Sequence, residues 1–445
     1  MYRSLALSIV LATSLGVSVV AGAATPKPTQ VSVMSGGQLA QGATLRIYGG
    51  DFGAKSQASP VLFDFASHAF EGGERNSVMS SVDHGMLIHE AIESLEDRIW
   101  VAMTKNARIN HQDNLRHEHS GSSYLLQGEN TWLGRPKAYG GVTGWDTPTD
   151  DQQLYVGWWV NMKYDPTKYW RISPSTGVEG TFSPGERVEL VDDIYGTFIG
   201  YDDEGLLNFE IFGTGISSRL EGLPIVGAKS GASTIFPESF RAGTGFGYET
   251  PGSQKYIRIW EDSSGKEGLR YSWTQMHQTV SLSSNSPHWV GSPLEGGEWH
   301  FLELQVDSKN AVIRTAINGE WHPEFRFDKS VILEGRLSPT IALIGLNGKS
   351  GKFQDVYIDE IYMDNSFNRV LIGNKGTYDE SDKFEIQRPL RWSDSEVVVE
   401  TNLGQFGPQD DLYLYVFNSE GEPNAEGLLL VDGMAPPGRI ELNVQ

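Results

Sequence analysis

The chain has 445 residues, and 57 acidic against 35 basic side chains give it a formal charge of −22. That excess argues against nucleic acid as a partner, because phosphates call for clustered lysine and arginine. Cysteine is absent, which excludes a disulfide frame, thiolate-bound zinc, iron–sulfur clusters, c-type haem and a thiol nucleophile.

Arg3 is the only early charge; an apolar run follows from Leu5 to about Val20, then the small residues Ala21-Gly22-Ala23. This pattern predicts a secretory signal peptide over residues 1–24, its apolar core short for a membrane span, with a retained anchor as the alternative. No second long apolar run follows, so a secreted, periplasmic or surface-attached chain without a span is expected. The remaining chain, about 420 residues, allows two or three domains.

Helical periodicity is nearly missing; His89–Leu95 offers one or two turns. Alternating runs dominate instead: Arg98–Met103, Leu154–Tyr164, Leu206–Phe212, Tyr256–Trp260, Phe301–Val306, Val312–Ile317, Val356–Met363, Val397–Glu400 and Leu412–Phe417. Separated by Gly, Pro, Asn and Asp clusters, they predict an all-β protein.

Near the start, Gly42-Ala43-Thr44-Leu45-Arg46-Ile47-Tyr48-Gly49-Gly50-Asp51-Phe52-Gly53 resembles the opening strands of an IPT/TIG immunoglobulin-like domain. Leu390-Arg391-Trp392-Ser393-Asp394-Ser395-Glu396-Val397 resembles a later strand of the same domain, and Leu412–Val416 its closing part. Neither flank supplies the roughly seven strands of such a sandwich alone. The expectation is therefore one split Ig-like domain from residues 28–65 and 383–445, with residues 66–382 inserted; two separate β-appendages are the alternative.

Within the insert, Gly297-Glu298-Trp299-His300 leads into a hairpin that leaves through Ile317-Asn318-Gly319. It resembles the laminin-G and pentraxin branch of the concanavalin-type jelly rolls, as does Val356-Tyr357-Ile358-Asp359-Glu360-Ile361, with Arg369–Ile372 as a last extended segment. The resemblance implies a large antiparallel jelly-roll sandwich beside the small Ig-like one. It also implies carbohydrate or matrix partners, and in some members cleavage of polysaccharides. The insert exceeds a minimal unit of that kind, so extra loops are expected.

Alternation sorts faces. Leu154, Val156, Trp158, Val160 and Met162 oppose Tyr155, Trp159, Asn161 and Lys163. Arg98 and Trp100 oppose Ile99 and Val101. Asn208 and Glu210 oppose Leu207 and Phe209; Tyr256, Arg258 and Trp260 oppose Ile257 and Ile259; Glu303 and Gln305 oppose Leu302 and Leu304. One face of each strand is apolar, and the other mixes rings with Arg, Asn, Gln and Glu. Rings stack on sugars, and planar amides and guanidinium groups bond hydroxyls and carboxylates. The expected binding residues are Arg98, Trp100, Trp159, Asn161, Asn208, Glu210, Tyr256, Arg258, Trp260, Gln275, His277, Glu303 and Gln305, with a glycan or matrix surface as partner. Packing of these rings under loops or against the Ig-like domain is the other reading.

Chemistry is less marked. His117 and His119 are spaced to share a strand face and grip a metal or move a proton, with His84 and His89 near in sequence. The paired-acid pattern "Glu-x-Asp-x-x-Glu" of the jelly-roll glucanases is absent. Gln275-Met276-His277 matches the "Gln-x-His" strand of alginate-type lyases except for its middle residue. Calcium is the one cofactor the acidic loops Asp146–Asp151, Asp192-Asp193 and Asp202-Asp203-Glu204 suggest. The leading expectation is a non-catalytic carbohydrate-binding protein; a polysaccharide lyase or hydrolase, or a structural component of a surface assembly, are the alternatives.

Overall fold

The computed structural model describes residues 24–34, 37–76, 82–91, 98–102, 104–127, 131–139, 153–165, 168–173, 176–213, 219–237, 294–326 and 353–430. It also describes the backbone of strands 255–259, 269–272, 275–280, 288–291 and 341–347. The protein is all-β, built from antiparallel sheets, with one α-helix, Ile88–Ala91, among the described residues.

The centre is an eleven-stranded sheet whose middle strands are Trp299–Asp307, Gln153–Met162 and Asp355–Asp364. Leu154, Val156, Trp158, Val160 and Met162 alternate into one core with Leu302, Leu304, Val306, Val356, Ile358, Ile361 and Met363. Trp100 and Leu133, from a seven-stranded sheet, join the same core. These apolar faces, legible in the alternation, make a sandwich.

Strands from Lys27–Gly50 and from Arg369–Leu430 meet in a second sandwich. Strand Thr44–Gly50 pairs with Glu396–Glu400, Thr44 opposite Glu400, in a four-stranded sheet with Lys27–Val33 and Arg388–Trp392. The facing sheet runs Phe384–Ile386, Arg369–Gly373, Leu412–Phe417, Leu428–Leu430. Val31, Leu45, Ile47, Val397 and Val399 pack between them against Val370, Ile372, Leu414 and Val416. Arg369–Gly373, expected as the last segment of the large domain, therefore lies in this terminal sandwich. Its inward residues match that core, while Arg369 and Leu371 point outward.

The surplus length of the insert is not loop alone. Residues between Tyr169 and Ile235 form a six-stranded sheet, Tyr169–Ile172, Leu207–Phe212, Ile194–Tyr201, Arg187–Val191, Pro224–Gly227, Ser233–Ile235. It has its own core around Trp170, Phe182, Val188, Phe198, Phe209 and Phe236. Phe209 packs on Phe198 at 5.3 Å and on Phe182 at 5.9 Å. Phe209→Ala is expected to cost about 3–5 kcal/mol within this sheet. Hydrogen exchange should then speed up over 194–212 while the terminal sandwich keeps its protection; uniform loss of protection would contradict an independent core.

Candidate functional site

The mixed face expected to meet a ligand is covered. Tyr155, Trp159 and Phe301 on the central sheet pack against Leu371, Phe384, Ile386, Tyr415 and Phe417 on the outer face of the terminal sandwich. Trp159 is 3% exposed, tilted against Phe301 at 5.2 Å and roofed by the Arg116 guanidinium at 4.4 Å. Glu303 is enclosed too, and takes hydrogen bonds from Tyr155 Oη (2.8 Å), Arg369 Nη2 (3.0 Å) and Tyr378 Oη. Arg369 in turn lies over Tyr155 and Phe417, at 4.3 and 3.6 Å from their ring centres. This corrects the open platform: alternation finds the second face of a strand, and here a second sandwich sits on that face.

The other expected residues scatter. Trp100 is a core residue whose Nε1 donates to Asp64 Oδ2 at 2.9 Å. Asn161 is buried and donates to the Gly297 carbonyl. Asn208 and Glu210 sit in the six-stranded sheet: Asn208 is buried and accepts from Tyr169 Oη at 2.6 Å, and half-buried Glu210 accepts from the Asp165 amide. Arg98 donates to the His89 carbonyl. Gln305 is buried at the end of the covered face. The side chains of Tyr256, Arg258, Gln275 and His277, and all of Trp260, lie outside the described residues.

The acidic loops have protein partners. Asp202 accepts from Arg171 at 2.6 Å and from two backbone amides, and Asp193 pairs with Arg219 at 2.7 Å; Asp146–Asp151 lies outside the described residues. Among the described residues no group of three or more His, Asp or Glu side chains is arranged to hold a metal.

The loop after Asn110 carries Arg116 into the seam between the sandwiches. Its Nη1 and Nη2 donate to both oxygens of Glu385, at 2.8 and 2.6 Å, and Nη2 also meets Glu360 Oε1 at 2.5 Å. Such fork-to-fork pairing is the strongest guanidinium–carboxylate geometry. Asn402 Nδ2 donates to Glu360 at 3.0 Å, and the Gln405 amide to Glu385 at 2.8 Å. Gly404 is required there: φ is +49°, and a Cβ would fall 2.0 Å from the Glu385 carboxyl carbon.

A bulge brings Glu360 to this cluster. Ile358 and Ile361 both face the core, so Asp359 and Glu360 both face the seam. Glu360 takes φ +48°, a conformation that costs a non-glycine residue energy. Burial and the adjacent Glu360 push Asp359 well above the usual carboxylate range. Burial opposes the charge of Glu360 as well, but Arg116 and His117 outweigh it and hold that carboxyl below its ordinary value.

His117 Nδ1 accepts from the His119 amide at 3.1 Å, which leaves Nε2–H to donate to Glu360 at 2.8 Å. With both nitrogens engaged, His117 orients Glu360. Beside it opens a cleft of about 90 Å³, lined by Phe65, His68 and Phe70 from the turn and second strand of the hairpin 62–71 at the edge of the central sheet, by His119, and by Arg388 and Asn402 from the terminal sandwich. His68 stacks on Phe65 at 4.9 Å and 8°, and the Arg388 guanidinium lies 3.7 Å from the Phe70 ring centre. Burial, reinforced by Arg75 and Arg388, lowers His68 to about 4, so its imidazole is neutral at pH 7. Arg388 Nε is enclosed and has no protein partner.

The histidine run was visible in the sequence, and the rings Phe65, His68 and Phe70 were there to be seen. Arg388 and Asn402 arrive more than three hundred positions later, and no spacing announces that they meet these rings.

No protein-family model matches the chain, and no curated protein matches it. Solved structures with some likeness include the binding domain of botulinum neurotoxin serotype D, at 8% identity over 85% of this chain and 80% of that one, TM-score 0.23. The ligand-binding domain of the same serotype in complex with N-acetylneuraminic acid gives 8% identity over 82% and 72%, TM-score 0.23. The endo-β-1,4-glucuronan lyase of Trichoderma reesei gives 9% identity over 60% and 90%, TM-score 0.22. They share β-rich architecture with this chain, and at those scores they carry no argument about its chemistry.

Two outcomes check the electrostatics. Arg116→Met leaves Glu360 and Glu385 buried without their cation and is expected to cost about 3–5 kcal/mol in urea unfolding; adding Glu385→Gln should return part of the loss, and strict additivity would refute the coupling. Burial raises Asp64 to about 6 against hydrogen bonds from Tyr124, the Ala66 amide and Trp100. A raised carboxyl contributes stability that is fully present below its ordinary 3.8 and lost as pH rises through 6. Wild type minus Asp64→Asn should therefore favour wild type by on the order of 2–3 kcal/mol more at pH 4 than at pH 7; an equal difference at both pH values would refute it.

Proposed function

We propose that this is an exported carbohydrate-binding protein that takes a saccharide of a polysaccharide or cell-surface glycan in the cleft at the seam. The observation that carries the reading is the cleft lining itself. Rings of Phe65, His68 and Phe70 on one sandwich border it together with the guanidinium of Arg388 on the other. Apolar sugar faces suit such rings, and Arg388, Glu400 and Asn402 line the cleft with polar groups that suit hydroxyls.

Binding is favoured over cleavage by the state of the histidines. His117 has both nitrogens engaged, and a base as weak as His68 is poorly matched to abstracting a sugar proton at neutral pH. No helix among the described residues is long and apolar enough to cross a membrane, and the leader-like residues 1–24 support export of the chain.

His68→Ala removes one ring and leaves the Arg116 cluster untouched. It is expected to weaken glycan binding by about tenfold, about 1.4 kcal/mol, in titrations with ligands first found on a glycan array. Unchanged affinity in a folded variant would reject the cleft. Release of unsaturated or reducing ends from polysaccharides would instead establish the enzyme.

A further inference from the structure

A second cavity lies along the same seam. It is a polar groove of about 730 Å³ between the hairpin 299–317 and the turn at Ser419 and Glu420, with Gln153, Gln305, Asp307 and Arg314 in its lining. We infer that this groove is a second saccharide site, selective for a neutral sugar read by Gln305 through two adjacent hydroxyls.

Gln305 is 1% exposed, and neither Oε1 nor Nε2 has a partner. A buried amide left unpaired costs roughly 1–3 kcal/mol, and such a group calls for an explanation. Its surroundings are otherwise paired. Arg314 donates from Nε to Glu324 at 3.1 Å and from Nη1 to the Glu420 carbonyl at 3.2 Å. Gln153 Nε2 donates to the Ser419 carbonyl at 2.9 Å, Arg326 pairs with Glu324 at 2.5 Å, and Asn310 donates twice to Asp307. Arg314 and Arg326 are thus held by Glu324, Asp307 by Asn310, and the amide of Gln305 is left over.

The geometry of a carboxamide selects the ligand. It offers one acceptor and one donor side by side in one plane. Two adjacent ring hydroxyls satisfy both, one donating to Oε1 and the other accepting from Nε2. A carboxylate would satisfy Nε2 alone and would face Oε1; a cation would satisfy only Oε1. The turn at Gly421 packs directly against the amide. At φ +78°, a Cβ there would stand 2.7 Å from Nε2 and 2.9 Å from Oε1.

The site goes beyond the seam cleft and is tested apart from it. Full-length protein is titrated with neutral gluco- and manno-oligosaccharides and with uronate oligosaccharides, as wild type, Gln305→Leu and His68→Ala. On adding a neutral oligosaccharide, protection of 305–314 should be reached at the same concentration in wild type and His68→Ala and at a concentration at least tenfold higher in Gln305→Leu, while the melting temperature of Gln305→Leu is unchanged or raised. In wild type, hydrogen exchange should slow over 305–314 and 418–421 on adding that sugar, a reading that needs no variant. Neutral sugars failing to bind, binding unaffected by Gln305→Leu, or protection confined to the rim of the other cleft would each overturn the inference. Loss in His68→Ala alone would leave the cleft reading standing and remove this one.

Discussion

A guanidinium taken out of water must find anions in the right plane, and Arg116 finds two, Glu360 on the central sandwich and Glu385 on the terminal one. Removing two carboxylates and a cation from solvent is costly, and only near-ideal geometry with further donors offsets it. Here Asn402, His117 and the Gln405 amide supply those donors. The two sandwiches are thereby fixed in one relation, because an aromatic seam alone would tolerate sliding and this network has one register. Glu303 and Arg369 repeat the device along the same seam.

The cleft follows from that constraint. Glu360 reaches Arg116 only because one extra residue in its strand turns two successive carboxyls toward the seam, at the expense of a left-handed backbone. His117 is drawn in by Glu360, and the loop that brings it also brings His119 to the edge of the cleft. The two neighbouring acids are driven apart accordingly: burial and Glu360 push Asp359 up, while Arg116 and His117 hold Glu360 down.

The class of fold was readable because strand alternation is a local signal, and the faces of Leu154–Met162 and Leu302–Val306 sorted correctly. What covers a face is not local. Glu303, Gln305 and Trp159 look like a surface in the sequence, and only the outward residues of Arg369–Gly373 and Leu412–Phe417, more than sixty positions away, make them an interface. The six-stranded sheet was hidden for a related reason: its short strands read as decoration until their apolar residues were seen to close on one another. Arg388 joins the rings of Phe65, His68 and Phe70 only through pairing of distant strands, so sequence proximity gave no hint of that cleft.

That pairing also sets a schedule. Thr44 bonds across to Glu400, a partner made about 350 residues later, so closing this sandwich closes a very long loop. At synthesis rates of about 5–20 residues per second, the first strands wait on the order of 20–70 s with open edges. The central and six-stranded sheets have their own cores and can form meanwhile. The cleft and the groove each borrow a wall from the last eighty residues, so neither cavity exists until those strands dock. Closure of both cavities is then the final event of folding, and a chain that stops short is born without them.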